Sequence, residues 1–119
     1  MKKAHAYFQK RDGSVTRVAE VIIPRGFTTD EALESVYVRL QNIRGSWSFG
    51  PNFEGSLDER EGQPNYDYSE AVKFVGKHKE LLDGRKLGER SMMKGDLVVL
   101  DGKTYEVAMF GFEEYKEAV

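Results

Sequence analysis

The stretch Gly95-Asp96-Leu97-Val98-Val99-Leu100-Asp101-Gly102-Lys103-Thr104-Tyr105-Glu106-Val107-Ala108-Met109-Phe110 decides the fold. Leu97 to Leu100 is an unbroken run of strand-forming residues. From Thr104 to Phe110, Tyr105, Val107 and Met109 alternate with Glu106 and Ala108, the period of two of a strand with one buried face. Asp101-Gly102 between them supplies the positive φ angles that a two-residue hairpin turn requires, so two antiparallel strands joined by a tight turn are expected.

The N-terminal end carries the same grammar. Ala4, Ala6 and Phe8 alternate with His5, Tyr7 and Gln9, Asp12-Gly13 is a turn, and Ser14 to Ile23 is rich in β-branched residues up to the breakers Pro24-Arg25-Gly26. A second hairpin is expected there. Next, Thr28 with Glu31 matches a capping box, and Leu33, Val36, Tyr37, Leu40 and Ile43 recur at helical spacing as far as Gly45. Asp67 and Glu70 also fit a cap, followed by Ala71, Phe74, Val75, His78, Leu81 and Leu82 as far as Asp83-Gly84, which predicts a second helix. Gly76 weakens that helix by about 1 kcal/mol, and Val72 to Val75 alternatively reads as a short strand. Arg85 to Lys94 reads as a connector, Gly111 as a turn, and Phe112 to Val119 as a final helical turn at most. The expected architecture is a single α+β domain spanning 1–119, with an antiparallel sheet from the N- and C-terminal hairpins and one or two covering helices.

Composition narrows the function classes. With 119 residues and 39% hydrophobic content the chain supports one modest core. Eighteen basic and 20 acidic residues leave a formal charge of -2, so neither a global positive nor a strong negative field is implied. The chain has no cysteine, which excludes disulfide frameworks, thiolate metal sites and thiol catalysis. Met1 to Tyr7 leads into alternating residues and not an apolar leader core, and no run approaches the roughly 20 apolar residues of a membrane span. A soluble, cytoplasmic protein without a membrane partner is expected.

Few residues carry recognisable chemistry. Gly102-Lys103-Thr104 imitates the end of a phosphate loop, but Leu97 stands where the first glycine is needed, and the residues join two strands. His5 and His78 have no second ligand at metal spacing, and no nucleophile-elbow motif is present. Asp58, Glu59, Glu61 and Asp67 read as solvated carboxylates, and Asp96 and Glu106 with Lys103 only poorly imitate a nuclease set. No catalytic residue, metal site or cofactor is assigned.

Two segments remain as binding candidates. Residues 44–65 hold Gly45, Gly50, Pro51, Gly55, Gly62 and Pro64 without periodic apolar positions, an irregular loop longer than compact domains usually carry. Arg44, Trp47, Phe49 and Phe53 within it are residue types that dominate binding hot spots, and they form the expected partner-binding set. Trp47 is expected to be mostly buried, while Phe49 and Phe53 fit a core or an interface equally well. Lys73, Lys77, Lys79, Arg85, Lys86 and Arg90 form the basic concentration, with Glu70, Glu80, Asp83 and Glu89 interleaved, so any contact with nucleic acid is expected to be weak.

Leu40-Gln41-Asn42-Ile43 with Ser46-Trp47, and Arg90-Ser91-Met92-Met93-Lys94-Gly95-Asp96-Leu97 with Tyr105, Gly111 and Phe112, resemble blocks in small uncharacterised proteins of bacteriophages and mobile elements. There the second block reads Arg-Ser, two variable or serine-like positions, a valine, then Gly-Asp and a hydrophobic strand ending in Gly-Phe, a pattern from which Met93 and Lys94 depart. The resemblance covers about a third of the chain. It implies a phage or mobile-element origin and no particular reaction, and since small proteins of that kind commonly bind and redirect a host component, the leading expectation is a non-enzymatic accessory protein that binds a host protein such as a defence component in the bacterial cytoplasm. A nucleic-acid-binding accessory factor is the alternative and a small enzyme the third reading.

Overall fold

The computed structural model describes residues 2–115. The elements run β1 (Lys2–Gln9), β2 (Val15–Ile23), α1 (Thr29–Arg39), β3 (Val72–Phe74), β4 (Lys79–Glu80), β5 (Lys86–Leu87), β6 (Leu97–Leu100), β7 (Lys103–Val107) and β8 (Phe112–Glu114). Six strands form one antiparallel sheet in the order β3-β2-β1-β6-β7-β8, and β4 pairs with β5 in a separate two-stranded ribbon. Both expected hairpins are present, and they are joined along a β1–β6 seam in which Ala6 faces Val98. The α+β architecture stands, with one covering helix among the described residues, the lower of the one or two expected.

The turns follow their residues. Asp101 and Gly102 adopt φ of 53° and 76°, the doubly positive pattern of a type I′ turn. At the N-terminal turn the Asp12 carboxylate accepts from the amide and hydroxyl of Ser14, and these bonds hold its pKa below the usual carboxylate value. A register shift at Ala6/Tyr7 leaves Val18 between Arg17 and Ala19 without a partner on β1, a bulge that lets both Val18 and Ala19 enter the core.

Helix α1 begins as expected, the Thr28 hydroxyl accepting from the Glu31 amide and the Glu31 carboxylate accepting from the Thr28 amide. It ends at Arg39, a turn before the expected stop near Gly45. The amide of Asn42 is taken by the Ser91 hydroxyl at 2.8 Å, and those of Ile43 and Arg44 by one Asp67 oxygen at 2.6 and 2.7 Å. These acceptors replace the helical carbonyls, and Ile43, placed by periodicity on the packed face, is instead 77% exposed.

The second helix expected from Asp67 to Asp83 is not formed. Val72 to Phe74 extends the sheet as β3, the alternative short strand, because pairing with Ala19 to Val21 lets Val72 and Phe74 pack on the core. Gly76 suits that path, since a Cβ there would meet the Phe74 ring at 3.0 Å. Leu82, expected on a buried helix face, lies fully exposed beside the β4–β5 turn. The expected connector contains β5, and Phe112 to Glu114 is a strand where a helical turn was anticipated; residues 116–119 lie outside the described residues.

The core lies between one sheet face and a cover made of α1 and the segment around Trp47 and Met92. The two blocks that carry the phage resemblance meet here. Met92 donates its amide to the Leu40 carbonyl, the Gln41 side chain donates to the Met92 carbonyl, Asn42 donates to the Glu89 carbonyl, and the Trp47 indole donates to the Arg90 carbonyl. Arg90 then clamps Asp96 through both guanidinium nitrogens at 2.7 and 2.8 Å. The motif residues are thus the latch that fastens the cover to the sheet.

Candidate functional site

No helix or strand intervenes between Arg39 and Val72, so the irregular segment is longer than the expected 44–65 loop. Side-chain hydrogen bonds organise it. Asn65, 6% exposed, accepts from the Ser46 amide and donates to the carbonyls of Ser46 and Gly50. Gly45 lies against it so closely that any Cβ would collide with the Asn65 amide group.

This organisation buries the expected partner-binding aromatics. Trp47, Phe49 and Phe53 are 2%, 3% and 5% exposed, which fits the expectation for Trp47 and resolves Phe49 and Phe53 as interior residues. Trp47 packs edge-on against Phe8 and Phe74, with ring centroids 5.8 and 5.7 Å away. Phe49 and Phe74 sandwich the His78 ring at 4.1 and 4.4 Å, and the Arg60 guanidinium lies over Phe53. The assignment of these three rings as partner anchors is therefore corrected, because each already spends its surface inside the chain. Arg44 alone of that set is exposed.

A hydroxyl–imidazole contact emerges that the sequence did not signal. His78 Nε2 lies 3.0 Å from Ser48 Oγ, which accepts the Glu89 amide and sits 3.3 Å from Ser46 Oγ. Burial pushes the His78 pKa below its ordinary value, so the ring is favoured in its neutral form. Ser48 is only 6% exposed, and the contact joins the irregular segment to the β4–β5 region.

The basic set divides. Arg85 pairs with Asp83 at 2.6 Å, Lys86 with Glu80 at 3.0 Å, and Arg90 with the buried Asp96. Lys73, Lys77 and Lys79 are exposed. Asp96 is consumed by Arg90 and by the amides of Gln9 and Met93, while Glu106 sits opposite Leu97 on the other sheet face, so the nuclease-like pair is not assembled. Among the described residues no group of three potential metal ligands is present.

The surface instead offers a groove beside α1. Glu34 and Tyr37 with Val107, Met109 and Phe112 line a cleft of about 170 Å³, and Phe27, Glu31, Glu34 and Val38 line an adjoining one of about 530 Å³. Tyr37 meets Phe112 edge-on at 6.5 Å, forming the groove floor. On the turn between β7 and β8, Met109 is 71% and Phe110 90% exposed, while Val38 and Phe27 are 57% and 39% exposed on the helix side. Sequence reasoning placed Met109 and Phe110 in the strand. The signal was there in Met109-Phe110-Gly111-Phe112, a run of large apolar residues around a glycine turn.

A second cleft, of about 480 Å³, lies where the β1–β2 turn meets residues 90–96, and is lined by Lys10, Arg11, Arg90 and Lys94. Among the described residues no helix is long and apolar enough to cross a membrane. No family model, curated protein or solved structure matches this chain.

Proposed function

We propose that the chain is a non-enzymatic accessory protein of a phage or mobile element that binds a host protein in the bacterial cytoplasm, a defence component being the class of target the resemblance favours. The observation that carries the reading is the exposed pair Met109 and Phe110 beside the groove between α1 and the β7–β8 turn. Removing a phenylalanine side chain from water is worth about 1.5 to 3 kcal/mol, and a ring presented on a turn reaches a partner's pocket with little entropic cost. Glu31, Glu34 and Arg39 line the groove around Phe27 and Val38, so the fitting partner offers an apolar segment with charged flanks.

The alternative is nucleic-acid binding, and the cleft of Lys10, Arg11, Arg90 and Lys94 supports it. Arg90 is already paired with Asp96, leaving three cations for phosphates, consistent with weak and salt-sensitive association.

Capture from host lysate with and without nuclease separates the two. The expected result is a nuclease-resistant protein retained by the wild type, lost with Met109→Ala/Phe110→Ala, and kept with Lys10→Ala/Lys94→Ala. Phe53→Ala is the contrasting control, expected to lower stability by about 3 to 5 kcal/mol because it empties a buried site. Nuclease-sensitive retention that depends on Lys10 and Lys94 would replace the protein-binding reading with the alternative.

A further inference from the structure

The sheet has two faces, and α1 with the irregular segment covers only the one that carries Ala4, Ala6, Phe8 and Val98. Directly paired residues of an antiparallel sheet share a face, so the register defines the other one. Tyr7 pairs with Arg17 and Leu97, His5 with Glu20 and Val99, Glu20 with Lys73, Leu97 with Glu106, and Glu106 with Glu113. Tyr7, Leu97 and Val99 are partly exposed at the centre, where with Val15 and Tyr115 they line an open depression of about 430 Å³.

Charge on this face is sorted by position. The β1–β3 half carries Lys3, Arg17 and Lys73 against the single carboxylate of Glu20, which Lys3 and Arg17 approach at 3.9 and 3.5 Å. The β7–β8 half carries Glu106 and Glu113 with Thr104 as its other outward strand position, and Lys103 and Glu114, which also line the depression, offset one another. An apolar centre thus separates a net positive half from a net negative half.

We propose that a second copy of the chain covers this face, in a two-fold dimer whose axis runs parallel to the strands over the β1–β6 seam. Rotation about that axis lays the positive half of each copy on the negative half of the other and places Tyr7 of each copy over Leu97 of the other and Val99 over His5, an isologous and closed contact. An axis perpendicular to the strands would set like charges together, so the charge pattern selects the first arrangement. Six strands spaced about 4.8 Å apart give a face roughly 24 Å wide, whose side-chain-roughened surface approaches the ~800 Å² per partner that stable interfaces bury. The α1 groove lies on the covered side of the sheet and stays open, so the dimer would present two copies of it.

Charge reversal tests the arrangement in sedimentation equilibrium, with circular dichroism to confirm folding. The wild type is expected at twice the chain mass. Glu106→Lys/Glu113→Lys and, separately, Arg17→Glu/Lys73→Glu are each expected to weaken self-association about tenfold or more by placing like charges together. An equimolar mixture of the two variants is expected to restore the doubled mass, because each reversed half then meets its complement. Met109→Ala/Phe110→Ala should leave the mass unchanged, which separates this test from that of the groove. Should a reversed chain not fold, carbodiimide cross-linking of mixed heavy- and light-isotope wild-type chains decides: Lys73 and Glu113 stand on opposite edge strands, too far apart to link within one chain. An interchain Lys73–Glu113 link supports the dimer. A wild type that sediments as a single chain at about 0.1 mM, well above typical dimer dissociation constants, a dimer indifferent to both reversals, or no such link among folded wild-type chains would overturn it.

Discussion

At the residue scale, His78 shows how a polar group becomes part of an apolar layer. Its ring is stacked between Phe49 and Phe74, and Ser48 occupies Nε2. The charged form is opposed first by burial and then by Lys86, while a hydrogen bond to the Ser48 backbone and the charge of Glu89 partly offset this. The folded-state pKa therefore lies below the unfolded value near 6.5. Folding favours the neutral ring, so its contribution to stability is complete above that value and is lost as pH falls below 6.5 toward the folded pKa. Melting temperatures measured from pH about 7.5 to about 5 are expected to fall more steeply for the wild type than for His78→Gln, since an uncharged amide removes this site's titration. Parallel curves would place the acid sensitivity elsewhere. Phe53 illustrates the opposite trade at this scale, a bulky residue held at φ 55° because its ring is buried under Arg60.

At the element scale, α1 is, among the described residues, the only regular cover over the sheet and is only 11 residues long, so its first turn matters. The Thr28–Glu31 capping box satisfies two amides that otherwise have no helical acceptor, and Asp30 and Glu31 complement the positive end of the helix. Thr28→Ala is expected to lower stability by about 1 kcal/mol in urea unfolding, and Thr28→Ser to retain most of it. An alanine variant as stable as the wild type would show that packing of Leu33, Val36 and Leu40 alone holds the helix. The strands behave differently from the helix. β3, β4, β5 and β8 each have two or three residues, too short to announce themselves by period; β3 and β8 form where β2 and β7 present unpaired backbone groups, while β4 and β5 pair with one another.

At the scale of the whole molecule, the cover is fastened to the sheet at Arg90. Its guanidinium spans Asp96, 1% exposed at the side chain, the Gln9 carbonyl and the face of Phe8, and the Asp96 bond raises the Arg90 pKa above its ordinary value. Arg90→Ala leaves a buried carboxylate with only the amides of Gln9 and Met93, and is expected to cost about 3 to 5 kcal/mol in urea unfolding. Arg90→Lys should recover only part of this, because an ammonium does not reproduce the two-pronged bond. A loss under about 1 kcal/mol, as for a solvent-screened pair, would sink the latch. Local chemistry in the sequence was enough to determine both hairpins and the start of α1, because a turn, a cap or an alternating strand is settled by residues within a few positions of one another. The end of α1, the choice of β3 over a second helix and the burial of Phe49 and Phe53 were decided only by tertiary structure. Asn42 finds Ser91 and Glu89, and Ile43 finds Asp67, across separations of 24 to 49 residues. Such bonds compete with helical periodicity because they give the amides past Arg39 acceptors that a continued helix would otherwise supply, and no local pattern records where those acceptors come from.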